Sequence, residues 1–305
     1  MKKPELRSTS RNLNMKIQFP SALILLCASS LSFTNTWAAD RFDSVEIKAQ
    51  PVSGSVHMLT GSGGNIGVSI GTDGTLIIDD QFAPLAEKIQ TALTTLGGDR
   101  PKLILNTHFH GDHTGSNPSF GNGGTIIAHD NVRVRLAGEE NFAASGLPVV
   151  TYAKQLTVHF NGDELALIHL PNGHTDGDSV VWFKQANVIH MGDHFFNHAF
   201  PYIDVGSGGS VAGVIRNLEH VIQMVPANIK IIPGHGPMGT VTDLGRSLTV
   251  IKATQKIVQQ GMQTGLSDSA IEEQLSSYAN WGKGFINTSR WISIIKSDLE
   301  KNASR

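Results

Sequence analysis

Cysteine is nearly absent from this chain: its 305 residues include one, Cys27. An internal disulfide is therefore excluded, and beyond the first forty residues no thiolate is available to a metal. Basic clusters are missing too. With 24 Lys and Arg against 26 Asp and Glu, for a net charge of −2, no face reads as a partner for nucleic acid or an anionic membrane surface. The expected partner is a small-molecule substrate. Long apolar runs are equally scarce: Phe19 to Leu31 is broken by Pro20, Ser21, Ser29 and Ser30 and falls short of the ~20 residues a helix needs to span a bilayer.

What the N-terminus does contain is the order of a secretory signal peptide. Lys2, Lys3, Arg7, Arg11 and Lys16 precede the apolar stretch, and Thr36, Ala38 and Ala39 offer small residues for cleavage after position 38 or 39. Met15 offers a second start. Leu26 stands where a lipoprotein signal would place a small residue before Cys27, which argues against lipidation. The expectation is a signal peptide over 1–39, a single domain over 40–305, a periplasmic or secreted location, and no stable membrane anchor after cleavage.

Beyond residue 40, short alternating segments punctuated by glycine read as strands at 44–49, 55–60, 65–70 and 75–79, an antiparallel meander. Residues 84–96 carry helical apolar spacing through Leu85, Ile89 and Leu93 and stop at Gly97 and Gly98. Further strands are expected at 102–105, 125–128, 155–160, 164–170, 179–183, 188–191 and 230–232. Helices are expected at 130–137, with Asp130 at the N-cap, at 211–225, and from 241 onward in two or three pieces. Strands followed by helices, twice over, imply two packed sheets with helices outside.

Chemistry concentrates after the strand at 102–105. Thr107-His108-Phe109-His110-Gly111-Asp112-His113 sets three imidazoles and a carboxylate within six residues, a density that packing does not call for. Nitrogen and oxygen donors suit Zn²⁺ at ~2.0–2.2 Å. Three more donors sit beside glycine at segment ends: His174 after Gly173, Asp193 after Gly192, and His235 between Gly234 and Gly236.

This set resembles the metallo-β-lactamase superfamily, whose pattern is HxHxDH followed by a separated His, Asp and His. The resemblance covers roughly residues 44–240. It implies an α/β fold, the four-layer αβ/βα sandwich, and two Zn²⁺ per chain. By that resemblance His108, His110 and His174 hold the first metal, Asp112, His113 and His235 the second, and Asp193 bridges both, with Asp112 and Asp193 counted as catalytic. The implied activity is hydrolysis of a carboxyl ester, thioester, lactone or lactam by a hydroxide shared between the metals.

Members that require Cys where Asp193 stands are excluded by the lack of cysteine. A bridging Asp resembles glyoxalase II-type thioesterases, lactonases and phosphodiesterases. The basic glutathione-binding cluster of glyoxalase II is not evident, since Lys283 and Arg290 are scattered. A periplasmic class B β-lactamase is the alternative, and a metal-binding protein without hydrolysis a further one.

The remaining candidates read as follows. His57, His159, His169, His190 and His220 are expected to be structural, and His129-Asp130 a helix cap. Asp176 and Asp178 either orient ligand imidazoles or form turns. His194 either assists catalysis or lines the pocket. Phe195, Phe196, His198 and Tyr202 form an aromatic loop, and Gly61 to Gly64 a glycine turn, both similar to substrate-covering loops of the family.

Overall fold

A computed structural model describes residues 41–303; the signal-peptide reading of 1–39 lies outside the described residues. Seven strands form the first sheet, in the order β1 (Lys48–Ser53), β2 (Val56–Thr60), β3 (Ile66–Gly71), β4 (Gly74–Ile78), β5 (Leu103–Leu105), β6 (Thr125–His129) and β7 (Val150–Tyr152). The second sheet holds β8 (Gln155–Phe160), β9 (Asp163–His169), β10 (Ser179–Phe183), β11 (Val188–His190) and β12 (Lys230–Ile232), in spatial order β12-β11-β10-β9-β8. Strands β1 to β4 form the expected antiparallel meander, while β4 to β7 run parallel.

The strands need two corrections. The first strand is at 48–53 rather than 44–49, and its pairing slips between Pro51 and Ser53, because proline cannot donate to a ladder and is tolerated at an edge. Strand β7 was not foreseen: it is three residues long, with Val149 and Val150 exposed, so neither length nor alternation marks it.

Alternating side chains decide the layers, since successive strand residues point to opposite faces. Leu76 and Ile78 of β4 join Leu105, Ile127, Leu167, Val181 and Ile232 in the core between the sheets. Ile77 points the other way and packs with Ile89 and Leu93 of α1 (Ala86–Thr95). On the far side, Val180, Ile189 and Ile231 meet Val214 and Leu218 of α5 (Val211–Met224), Leu244 and Ile251 of α6 (Val241–Gln263), and Trp291 of α8 (Thr288–Ala303). The result is the four-layer αβ/βα sandwich. Each fully buried aliphatic side chain in these layers contributes about 1.5–3 kcal/mol.

Local chemistry sets the helix starts. Ser210 caps α5 by accepting from the Gly213 amide, and Thr240 with Asp243 forms a capping box on α6. At α4 (Asp130–Gly138) the cap is His129, whose ring accepts from the Asn131 amide; Asp130 lies one position later, in the first turn, where its charge complements the helix dipole. Helices α2 (Gly111–Thr114) and α3 (Asn117–Phe120) are single turns, and α7 (Asp268–Gln274) is followed by a 3-10 segment, Ser276–Lys283. Among the described residues no helix is long and apolar enough to cross a membrane.

Candidate metal centre

All seven predicted donors converge at one end of the two sheets. His108, His110, Asp112 and His113 come from the turn after β5 and from α2. His174 follows β9, Asp193 follows β11, and His235 follows β12. Parallel pairing of β11 with β12 sets the last two segments side by side. A bridge between Phe196 and His235 joins them, and the buried amide of Asn65 donates to the carbonyls of Pro233 and Gly236. Gly234 is required there: a Cβ would lie 2.1 Å from Asp193 Oδ1.

The donors fall into two groups, His108, His110, His174 and Asp193 in one, Asp112, His113 and His235 in the other. Within the first, His174 Nε2 is 2.8 Å from His110 Nδ1. Within the second, His113 Nε2 is 3.4 Å from His235 Nε2, and Asp112 Oδ2 is 3.6 and 3.4 Å from those two nitrogens. Tetrahedral ligands ~2.0–2.1 Å from a zinc ion lie about 3.3 Å apart, so the second group has the spacing of a metal cage. Asp193 faces both groups. Its Oδ2 is 3.8 Å from His108 Nε2 and 3.5 Å from His174 Nε2, while Oδ1 is 3.1 Å from His113 Nε2 and 3.4 Å from His235 Nε2.

Four of the rings have one nitrogen tied outward, which aims the other at the cluster. His113 Nδ1 donates to Asp79 Oδ2 at 2.7 Å, and His174 Nδ1 donates to the Tyr202 carbonyl at 2.7 Å. His108 Nδ1 lies 3.0 Å from Thr107 Oγ1, and His110 Nε2 lies 3.2 Å from Asp204 Oδ2. Such outer partners set tautomer and orientation in metal sites. The inward nitrogen of His108 and Oδ1 of Asp193 are buried with no hydrogen-bond partner. Buried polar atoms are rarely left so, and an ion between the groups would satisfy both.

Electrostatics divide the donors. In the second group burial opposes the charged form, yet Asp193 and Asp112 carry His113 well above its ordinary range and His235 up to about 9, whereas His108 and His174 of the first group are held neutral. Burial holds His108 well below its ordinary pKa and lowers His174 to about 4, leaving them as the neutral imidazoles that bind metals. Burial opposes ionisation of Asp193, but the histidines around it, His113 first, hold its carboxyl well below the usual range.

Asp79 is a site residue that sequence reading missed. It directly follows β4 with φ +64°, is fully buried, and accepts from the Thr107 amide, the Thr107 hydroxyl and His113. The available signal was an aspartate pair, Asp79-Asp80, closing an otherwise apolar strand. Asp204 was missed for want of any local pattern.

The other candidates are placed as follows. Asp176 orients no imidazole; both its oxygens accept from Arg135 at 2.7 Å. Asp178 accepts from the Thr175 amide and hydroxyl. His194 neither touches the donors nor lines the cavity: it is buried, with Nε2 2.9 Å from the Asn217 amide nitrogen. His190 is also buried, bonded to the Asn65 carbonyl and the Gly192 amide. In the aromatic loop, Phe196 and Tyr202 line a cavity over the donors, Phe195 belongs to the core, and His198 adopts φ +65°. Gly63 lines the cavity, and Gly64 packs on His113, where a Cβ would meet the ring at 2.2 Å.

A family model described as the metallo-beta-lactamase superfamily matches residues 59–235, a span that contains all seven donors. The chain belongs to this superfamily. Among curated relatives of this superfamily member, it is similar to hydroxyacylglutathione hydrolases of Nitrosococcus oceani, 29% identical over 156 residues, and of Rhodospirillum rubrum, 30% identical over 153 residues. Each match covers 50% of this chain, and 55% and 54% of those relatives, so the chain spans about half the length of the curated relatives it matches. Among solved structures, a metallo-beta-lactamase from Pontibacter korlensis is similar with a TM-score of 0.60 and 20% identity, covering 68% of this chain and 99% of that one. The DIM-1 metallo-beta-lactamase gives 0.58 and 16%, with the same coverage. At those identities the structural likeness establishes the shared fold of the superfamily.

Proposed function

We propose that this superfamily member is a dinuclear zinc hydrolase of carboxyl esters, thioesters or lactones, exported to the periplasm or secreted. The observation that carries the reading is the placement of Asp193, one oxygen toward each donor group. In this reading His108, His110 and His174 would hold one ion and Asp112, His113 and His235 the other, with Asp193 available to either. Bound divalent ions supply a Lewis acid and bring the pKa of water toward neutrality. The chain's own residues fix where that chemistry happens. Asp79, Thr107 and Asp204 hold the imidazoles in one tautomer, and Asp112, a quarter exposed on the cavity floor, is the carboxylate placed to take up a proton. Phe196 and Tyr202 limit water at the donors.

The leaving group follows from charge. A carboxylate shared between both groups adds negative charge where an expelled amide nitrogen would need stabilising, whereas an alkoxide or thiolate needs less help. Esters and thioesters are therefore preferred over β-lactams, in keeping with the hydroxyacylglutathione hydrolases among the relatives. Metal content should be two zinc ions per chain, and kcat/KM for a chromogenic ester or thioester should exceed that for a chromogenic cephalosporin. Asp193→Ser should narrow this gap. Cephalosporin turnover in the upper part of the ~10⁴–10⁸ M⁻¹s⁻¹ enzyme range, with feeble esterase activity, would make the chain a β-lactamase instead. Export rests on the basic, apolar and small-residue order of 1–39, and N-terminal sequencing of periplasmic protein should begin at Ala39 or Asp40.

A further inference from the structure

We propose that the cavity over the donor cluster is an acyl pocket, which selects substrates with a medium or long apolar acyl chain. The inference rests on the hydrolase reading and adds the substrate class. The cavity measures about 630 Å³ and has His110, Asp112, Asp193 and His235 at its floor, a volume typical of small-molecule sites. Four aromatic rings wall it, those of Phe82, Phe196, Tyr202 and Phe285. They continue outward from the donors: Phe196 stacks on His235 with centroids 4.7 Å apart, Tyr202 lies 5.8 Å from the His110 ring, and Phe285 lies 6.5 Å from Tyr202.

Phe285 is the telling member. Its side chain is 74% exposed, which no packing need explains, and it stands at the mouth of the cavity rather than on open surface. The Arg290 guanidinium lies over both Phe285 and Tyr202, at 5.0 and 5.4 Å, and braces the two rings together. Few polar side chains stand on the walls beyond the donors. The Asn197 amide donates to the carbonyls of Pro237 and Met238, and the Arg41 guanidinium lies over Phe42 and Phe82. An alkyl or aryl chain would bury against the four rings.

The test is a series of p-nitrophenyl acetate, butyrate, hexanoate and octanoate with the zinc-loaded protein. Full burial of a methylene is worth at most about fourfold in kcat/KM, so the six methylenes added from acetate to octanoate set a ceiling of about 4,000-fold, and burial equivalent to three or four of them gives an expected rise of about 100-fold. Phe285→Ala should lower the octanoate-to-acetate ratio about tenfold, and Phe285→Leu should largely restore it. A flat or falling series, in a protein whose acetate ester turnover is abolished by a chelator and restored by zinc, would overturn the pocket and leave the hydrolase reading intact. If no ester is turned over, the hydrolase reading fails and calorimetry decides the pocket alone. Octanoate binding the zinc-loaded protein more tightly than acetate, by a margin that Phe285→Ala reduces, supports the pocket, and equal binding overturns it.

Discussion

Asp204 Oδ2 lies 3.2 Å from His110 Nε2, and the other ring nitrogen of His110 lies 2.8 Å from His174 Nε2. The carboxylate thus decides which face of the imidazole meets the cluster. It is itself steadied by the Ser207 amide, while the Ser207 carbonyl accepts from Arg135. Asp204→Ala is expected to weaken zinc binding about 10–100-fold, the range for a lost outer partner of a ligand histidine. Competition with a chromophoric chelator measures this directly. Unchanged affinity would show that His110 is oriented by other contacts.

Removing the metals should destabilise the fold, because His108 Nε2 and Asp193 Oδ1 are then buried without partners. A ligand present at ~1,000 times its Kd stabilises by about 4 kcal/mol, which for a domain near this size is about 8–16 °C in Tm. Thermal melts with and without chelator, followed by zinc addition, give the comparison. An identical Tm in both states would remove the cluster as a metal site.

Gly64 packs against His113 of the second donor group. A Cβ there would meet His113 Cε1 at 2.2 Å and Nε2 at 2.5 Å, so Gly64→Ala must displace that ring. Metal analysis after gel filtration should read close to one ion per chain, against the two expected for the parent. Two tightly held ions in the variant would place the second site elsewhere.

Asp178 contributes a pH dependence to stability. Burial is the main cause of its carboxyl being pushed up to about 7 from an ordinary 3.8, against the Thr175 bonds that favour ionisation. The folded chain then binds this proton more tightly than the unfolded one, so the contribution is complete below pH ~4 and is lost as pH rises through 7. At ~1.4 kcal/mol per pK unit the span is on the order of 4 kcal/mol. Urea unfolding at pH 5 and pH 8 should show a smaller loss of stability in Asp178→Asn than in the parent. Parallel profiles would mean that the carboxyl is ionised throughout.

Trp291 ties the C-terminal helix to the rest. Its indole donates to Thr254 Oγ1 at 2.9 Å, and its ring stacks on Phe200, two residues before Tyr202. Trp291→Ala should lower unfolding free energy by about 3–5 kcal/mol, read by denaturant titration. A loss under 1 kcal/mol would mean that the layers repack around the gap.

Much of the candidate site was legible in the chain because possible metal donors are few in kind, crowd together at 108–113, and elsewhere stand beside glycine at segment ends. His108, His110, Asp112, His113, His174, Asp193 and His235 announce themselves by residue type and local spacing, and the two-sheet sandwich by alternation and by the apolar stripe of α1. Tertiary structure alone decided the partners. Asp79, Asp204 and Phe285 lie 34, 94 and 83 positions in sequence from the site residues they touch, His113, His110 and Tyr202, and no local pattern encodes such contacts. The same holds for Asp176, which turned to Arg135 rather than to an imidazole, and for His194, adjacent to Asp193 in sequence yet buried against Asn217. Residue type specifies which chemistry is available; the path of the chain determines which atom it reaches, because hydrogen bonds and ring contacts act over a few ångströms of space and not along the sequence.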